Sequence, residues 1–266
     1  MIGALKLYNA WHERDLEYRE RCREAYDKHG VGEVLWLVTG NCNLRCPHCY
    51  VDAPTSPLNE LTASEAMNVV EELVRLEVPA VFISGGEPLM RRDIYDVLSS
   101  LSEHGVLTVL SCNGLLLSEG IVKRLGRCGV WFVAVPLYGP PQLHDNITGV
   151  EGSFVRIVEG IKACVEEGMH VCVKTLVSSR NYDHIPYLLE KCLELGVKAF
   201  YICDLVNLGR AKTLNKEKLP PSRWMALLDK LVKLVKEEKV EVDIGAMPSA
   251  APISHRAVRR SKQTST

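Results

Sequence analysis

Three cysteines stand close together in the segment CNLRCPHCY, residues 42–50. Cys42, Cys46 and Cys49 fall within eight residues, with three and then two residues between them. This spacing lets three thiolates converge on one small inorganic centre, and thiolates bind zinc and iron–sulfur clusters. A structural zinc site takes four protein ligands, whereas this loop offers three cysteines. A four-iron cluster held by three cysteines leaves one iron free, so the loop is predicted to be catalytic rather than structural.

A second short motif, SGGEP at residues 84–88, follows an apolar run that is typical of a buried strand. Taken alone, it is more typical of a strand-to-helix turn with an exposed Glu87. Asn113 and Gly114 follow a later apolar run in the same way, and Asn-Gly is a common turn signal. Each of the three motifs is therefore predicted to lie where a strand ends.

The cysteine loop and the SGGEP segment, in this order, resemble the CxxxCxxC and GGEP motifs of the radical S-adenosylmethionine (SAM) enzymes. The resemblance extends over about residues 31–210, which is most of the chain. The position before the last cysteine is usually aromatic in that family, and here it is His48. Asn113 and Gly114 resemble the family's Asn-Gly pair at the end of the third strand.

The resemblance implies that Cys42, Cys46 and Cys49 hold one [4Fe–4S] cluster whose fourth iron binds SAM. An electron from reduced ferredoxin or a flavodoxin-type donor then cleaves SAM to a 5′-deoxyadenosyl radical, which removes a hydrogen atom from the substrate. The implied catalytic residues are the three cysteines and Glu87, with Gly85 and Gly86 letting the backbone approach the ligand. The residues that the resemblance places around the cofactor are His48, Tyr50, Ser84, Gly85, Gly86, Glu87, Pro88 and Asn113.

Later segments resemble the subgroup that matures peptides, haem-type tetrapyrroles and metal cofactors, so a substrate of one of these kinds is expected. Many members of that subgroup have Asp where this chain has Tyr138. They also carry C-terminal SPASM or twitch cysteines for auxiliary clusters, but no cysteine follows Cys203 here. One cluster is therefore expected. Arg210, in a Gly-Arg-Ala segment, is assigned either to a substrate carboxylate or to a surface salt bridge.

Two other functions remain open at this point. The first is a non-catalytic metal-binding protein with zinc at the three cysteines, which needs a fourth ligand and leaves the SGGEP motif unexplained. The second is an inactive, truncated remnant of a maturase that binds a cluster without turning over. Metal analysis separates the first from the enzyme, and an assay of SAM cleavage separates the second.

The composition of the chain limits which partners and which location are expected. The chain has 266 residues, 47% of them apolar, which is enough for a sizeable core. A net charge of −1 gives no indication of nucleic acid or an anionic membrane as a partner. No apolar run reaches the length of a membrane span, so a cytoplasmic location is expected by default. Seven cysteines outside the loop show no metal-binding spacing, and most are expected to be small buried side chains: Cys22, Cys112, Cys128, Cys164, Cys172, Cys192 and Cys203.

Alternating strand and helix patterns predict an α/β fold with a parallel sheet. Periodicity leaves an open sheet and a barrel equally possible, and the family resemblance implies a partial, TIM-like (β/α)6 barrel. The expected parts are a helical segment at 1–30, the core at 31–213, a helix and short strand at 214–246, and a disordered tail at 247–266. Residues 136–152 are predicted to form a long polar loop, and Ser153 is predicted to cap the helix that follows.

Overall fold

The computed structural model describes residues 15–53, 60–237 and 241–245. The expected tail at 247–266 lies outside these ranges, as do the first 14 residues of the expected N-terminal helical segment. The described elements, in chain order, are α1 (Asp15–His29), β1 (Val34–Leu37), α2 (Ala63–Arg75), β2 (Ala80–Ser84), α3 (Ile94–Glu103), β3 (Leu107–Ser111), α4 (Glu119–Arg127), β4 (Phe132–Pro136), α5 (Pro141–Thr148), α6 (Ser153–Glu166), β5 (His170–Val177), α7 (Ile185–Glu194), β6 (Ala199–Asp204), α8 (Pro221–Glu237) and β7 (Glu241–Gly245).

The strands form one curled parallel sheet in which spatial order follows chain order from β1 to β7. Every residue of β2 and of β4 is buried, as expected for a parallel sheet that is covered on both faces. The predicted α/β half-barrel is therefore confirmed. The short strand expected within residues 214–246 is β7, which pairs with β6.

Two apolar clusters lie on opposite faces of the sheet. The larger one includes Val81 and Val133 with the buried stripes of the helices, so it lies between sheet and helices. The smaller one includes Phe82, Phe132 and Tyr18 of α1, so it fills the inside of the curled sheet. Because side chains alternate along a strand, neighbouring residues belong to different clusters. Polar groups at the carboxyl ends of the strands consequently stand above an apolar floor.

Residues 136–152 are not the long loop that their polarity predicted, because α5 lies within them. Pro141 is the first residue of this helix, and Gly149 ends it in the left-handed conformation with φ 75°. Ser153 likewise is not the cap of α6. Instead, the carboxylate of Asp145 accepts the backbone N–H groups of Gly152 and Phe154, at 2.7 and 2.8 Å, and so holds the start of α6.

Candidate active site

The segments after β1 and β2 are joined through their backbones. The Gly86 amide donates to Thr39 O at 2.8 Å, and the Glu87 amide donates to Asn41 O at 2.7 Å. A Cβ on Gly86 would lie 2.0 Å from Asn41 O, and one on Gly85 would lie 2.4 Å from Thr39 O. The two glycines therefore let protein backbone approach protein backbone at the base of the cysteine loop, a role that the sequence analysis assigned to a ligand.

We expect Gly86→Ala to lower the thermal stability of the protein and to weaken iron retention. The added methyl group meets the Asn41 carbonyl, so the start of the cysteine loop has to shift, at a cost of roughly 1–3 kcal/mol. Gly120→Ala is the matched control, because no atom lies within 4 Å of the place that its added methyl group would take on the exposed face of α4. A Gly86→Ala protein whose melting temperature equals that of wild type would contradict the proposed contact.

Glu87 lies wholly inside the protein and ties the end of β2 to the end of β3. Its Oε2 accepts the Asn113 amide at 2.6 Å, and its Oε1 accepts the Leu89 amide at 3.0 Å. The Asn113 side chain then donates to Asn43 Oδ1 at 2.6 Å and lies 3.9 Å from Cys42 Sγ. Glu87 thus acts on the cysteine loop through Asn113. A direct contact between Glu87 and a ligand stays a prediction.

Because Glu87 is buried, its contribution to the stability of the fold depends on pH. Burial raises the pKa of its carboxyl to about 7, against the opposing effect of the two amide donors. Since an unfolded glutamate titrates near pH 4.3, the folded state holds a proton that the unfolded chain has lost between these values. The contribution of Glu87 to stability is therefore greatest below about pH 4.3 and falls as the pH rises through about 7.

Urea unfolding of the cluster-free protein at pH 5.5 and pH 8 tests this behaviour. We expect the free energy of unfolding of Glu87→Gln, relative to wild type, to rise between the two pH values, because glutamine does not ionise. Glu71→Gln, on the exposed face of α2, is the control and should show no such change. An equal difference between Glu87→Gln and wild type at both pH values would refute the assignment.

The three cysteines of the loop are free thiols, each partly exposed. Burial raises the pKa of Cys42, and burial together with the neighbouring Cys42 raises the pKa of Cys46 to about 12. The Cys46 thiol is therefore protonated at neutral pH. Metal binding must displace that proton, so assembly of a metal centre here releases acid.

His48 and Tyr50 flank the last cysteine and contact different strands. His48 Nε2 lies 2.8 Å from the hydroxyl of Tyr138, which follows β4, and the two rings meet edge to face. Burial raises the pKa of the Tyr50 hydroxyl, against the opposing effect of the Ser84 side chain at the end of β2. Tyr138 thus supports the loop through His48.

Arg210 forms a partly exposed salt bridge with Asp52, one of the two roles that the sequence offered, and it also holds the cysteine loop. Its backbone amide donates to Cys49 O at 3.0 Å, and its Nε donates to Cys46 O at 2.9 Å. Its Nη1 donates to Ala53 O at 2.5 Å and pairs with Asp52 at 3.2 Å. The residue before it, Gly209, has φ 55°, and a Cβ there would lie 2.4 Å from Cys49 O. Gly209 and Arg210, which we call the arginine clamp, therefore fix the cysteine loop from the segment after β6.

A family profile described as the radical SAM superfamily matches residues 36–202, which is more than half of the chain. The chain belongs to the radical SAM superfamily. It is 32% identical over 217 residues to the AdoMet-dependent heme synthase of Methanosarcina barkeri, covering 81% of this chain and 62% of that protein. It is 27% identical over 224 residues to the PqqA peptide cyclase of Bradyrhizobium diazoefficiens, covering 83% and 58%.

Solved structures share the fold. Streptococcus suis SuiB, in its complex with the precursor peptide SuiA, superimposes with a TM-score of 0.71 at 18% identity, over 87% of this chain and 53% of that one. The chain spans between half and about three fifths of the length of the first curated relatives that it matches. In the described residues, no helix is long and apolar enough to cross a membrane.

Radical SAM enzymes use a [4Fe–4S] cluster and SAM, and the donor set of this site fits that cluster. Three free cysteine thiols lie on one loop, and iron–sulfur clusters are held by cysteine thiolates. In the described ranges no three His, Cys, Asp or Glu side chains, the loop cysteines included, are grouped closely enough to hold a single metal ion. The loop is also held in place from two sides, by Asn113 and by the arginine clamp.

Sequence reasoning missed two features of this radical SAM site. The first is the arginine clamp. The Gly-Arg-Ala segment was noticed in the sequence, but nothing in it indicated which residues Arg210 contacts. The second is Lys174, a lysine within the largely apolar strand β5, whose amine contacts Ser111 on β3. A charged residue inside a buried strand is uncommon, and this was the signal that could have identified it.

Proposed function

We propose that this chain reductively cleaves SAM at a [4Fe–4S] cluster and uses the resulting 5′-deoxyadenosyl radical to remove hydrogen from a substrate. The observation that carries the proposal is the three-cysteine loop, fixed at the carboxyl edge of the half-barrel by the arginine clamp and by Asn113. Active sites of parallel (β/α) barrels form at this edge. Electrons are proposed to come from reduced ferredoxin or a flavodoxin-type protein.

The residues of the site have three roles in this proposal. Cys42, Cys46 and Cys49 are the ligands, and the cluster with SAM supplies the radical chemistry. Glu87 and Asn113 keep the cysteine loop against the end of β3. The apolar floor that includes Phe82 closes the barrel below the site, which limits the access of water to a reactive intermediate.

A tetrapyrrole is the first substrate class that we propose. Its support is the 32% identity to a heme synthase over most of this chain, compared with 27% to a peptide cyclase. A peptide is the second class, and its support is the 27% identity to the peptide cyclase. In both cases the product is a matured cofactor or peptide, consistent with the subgroup that the motifs resemble.

The test is an anaerobic assay. The protein is reconstituted with iron and sulfide, reduced with dithionite and mixed with SAM, and 5′-deoxyadenosine is measured by chromatography. We expect about four irons per chain and slow formation of 5′-deoxyadenosine, accelerated by a tetrapyrrole substrate. Cluster formation with SAM binding but no cleavage, even with candidate substrates present, would favour the inactive remnant. Retention of zinc in place of a cluster would overturn the enzyme assignment.

A further inference from the structure

A group of exposed cations borders the cysteine loop. Arg45 stands within the loop, directly before Cys46, and is exposed. Arg180, Lys212 and Lys216 are also exposed, in the segments that follow β5 and β6. We call Arg45 and these three residues the basic patch. Because the whole chain has a net charge of −1, this concentration of positive charge is a local feature.

Backbone contacts bring the members of the basic patch together. The arginine clamp binds the loop at the residue after Arg45, and Lys212 follows the clamp in the same short helical turn. The backbone amide of the residue before Arg180 donates to Glu217 O at 2.8 Å, next to Lys216. The three segments that carry the patch are therefore fixed beside one another at the carboxyl edge of the half-barrel.

Carboxylates at the same surface offset this charge only in part. Asp52 is paired with Arg210 at 3.2 Å, so these two residues together add no net charge. Glu217 is half-buried in a cavity that Arg180 also lines, and Asp183 is exposed in the segment that follows β5. These two carboxylates balance two of the four cations. Among the described residues of this surface a net positive charge remains, which attracts negatively charged molecules.

Exposed apolar side chains accompany the basic patch. Val206 and Leu208 lie directly before the arginine clamp, with 36% and 52% of their surface exposed. The next residue, Gly209, lies so close to the loop that a Cβ on it would be 2.4 Å from Cys49 O. A small apolar centre with a charged rim is typical of protein–protein contacts, and short-lived electron-transfer contacts are the smallest of these.

We propose that the basic patch, with Val206 and Leu208, is the docking surface for a small acidic protein that delivers single electrons to the cysteine loop. The inference rests on the proposed function, because each cleavage of SAM takes one electron from outside the chain. The carrier loses this electron and the metal centre gains it, so no other reactant is needed. Opposite charges speed the encounter and orient the carrier, while exposed charge pairs add little affinity and let it leave again.

Charge reversal on the basic patch tests this surface. Lys212→Glu/Lys216→Glu changes the part of the patch that lies outside the cysteine loop. Arg127→Glu/Lys162→Glu, on the exposed faces of α4 and α6, is the control with the same change in net charge. The probes are reduced flavodoxin and a reduced plant-type ferredoxin. Stopped-flow absorbance measures the rate of cluster reduction by each carrier at about 20 mM and at about 0.5 M salt.

We expect the patch variant to be reduced by at least one carrier about tenfold or more slowly than wild type at low salt, since steering charges act on the rate of association. The difference should shrink at high salt, which screens exposed charges. The control variant should match wild type. Iron content, and 5′-deoxyadenosine formation with dithionite, should be the same in all three proteins, because a small reductant needs no docking surface.

Rates for the patch variant within about twofold of wild type with both carriers would overturn the inference. Failure of both carriers to reduce the wild-type cluster would do the same. An equal loss of rate with dithionite would also overturn it, because the lysines would then act on the cluster or the fold. If the wild-type protein forms no cluster, the proposed function fails instead. Calorimetric titration of the cluster-free protein with flavodoxin and with the ferredoxin then tests the patch, and equal affinities of wild type and patch variant refute it.

Discussion

Replacement of Cys46 by serine is expected to abolish the cluster and all formation of 5′-deoxyadenosine. Cys46 is the middle cysteine of the loop, and its backbone carbonyl is the acceptor for the Arg210 side chain. Serine keeps the size of the side chain and the loop contacts, but its hydroxyl is a poor ligand for a soft metal centre. Iron and sulfide analysis after anaerobic reconstitution measures the loss directly.

Cys128→Ala is the control for this experiment. Cys128 is buried at the end of α4, away from the loop. The Cys128→Ala protein should therefore retain its full content of iron and sulfide. The same loss is expected for Cys42→Ser and Cys49→Ser. A Cys46→Ser protein that retains wild-type iron and sulfide would remove Cys46 from the ligand set.

Loss of the arginine clamp is expected to accelerate release of iron without preventing assembly of the cluster. Arg210→Met keeps the stem but removes the donors to Cys46 O and Ala53 O. Hydrogen bonds from a charged group are worth about 1.5–3 kcal/mol each, and about 1.4 kcal/mol corresponds to a tenfold change. We therefore expect iron to be lost to a chelator about ten- to a hundredfold faster than from wild type.

Three measurements separate this positioning role from a general loss of stability. Lys212→Met, further along the same segment and exposed, should release iron at the wild-type rate. Arg210→Lys should lie between wild type and Arg210→Met, because lysine keeps the charge but not the forked geometry. The melting temperature of each cluster-free variant shows how much of the change in rate comes from a lower stability of the fold. Equal rates of iron release in Arg210→Met and wild type would refute the clamp.

Local patterns in the sequence predicted the elements well. Thr62 and Glu65 have the spacing that predicts a capping box, and at the start of α2 the Thr62 side chain accepts the Glu65 amide while the Glu65 carboxylate accepts the Thr62 amide. Parallel strands were recognisable because burial on both faces produces continuous apolar runs. The helix α5 was missed, since its polar composition outweighed the signals of Pro141 and Gly149.

Contacts between distant segments were harder to predict. Arg210 and Cys46 are 164 residues apart, and nothing in the local sequence indicates which backbone carbonyl the guanidinium reaches. The same holds for Lys174 and Ser111, which are 63 residues apart. The motifs identified the residues of the cysteine loop and the SGGEP segment, while only the fold shows that Gly86 and Asn113 support that loop.

The arginine clamp also bears on when the protein can acquire its metal. A ribosome completes the cysteine loop long before it reaches Arg210, and contacts between such distant segments form late in folding. Until then, the loop lacks the partner that holds the carbonyls of Cys46 and Cys49. A cluster inserted before the segment after the sixth strand has folded would therefore be held no more tightly than in Arg210→Met, and firm retention is expected only once the clamp is in place.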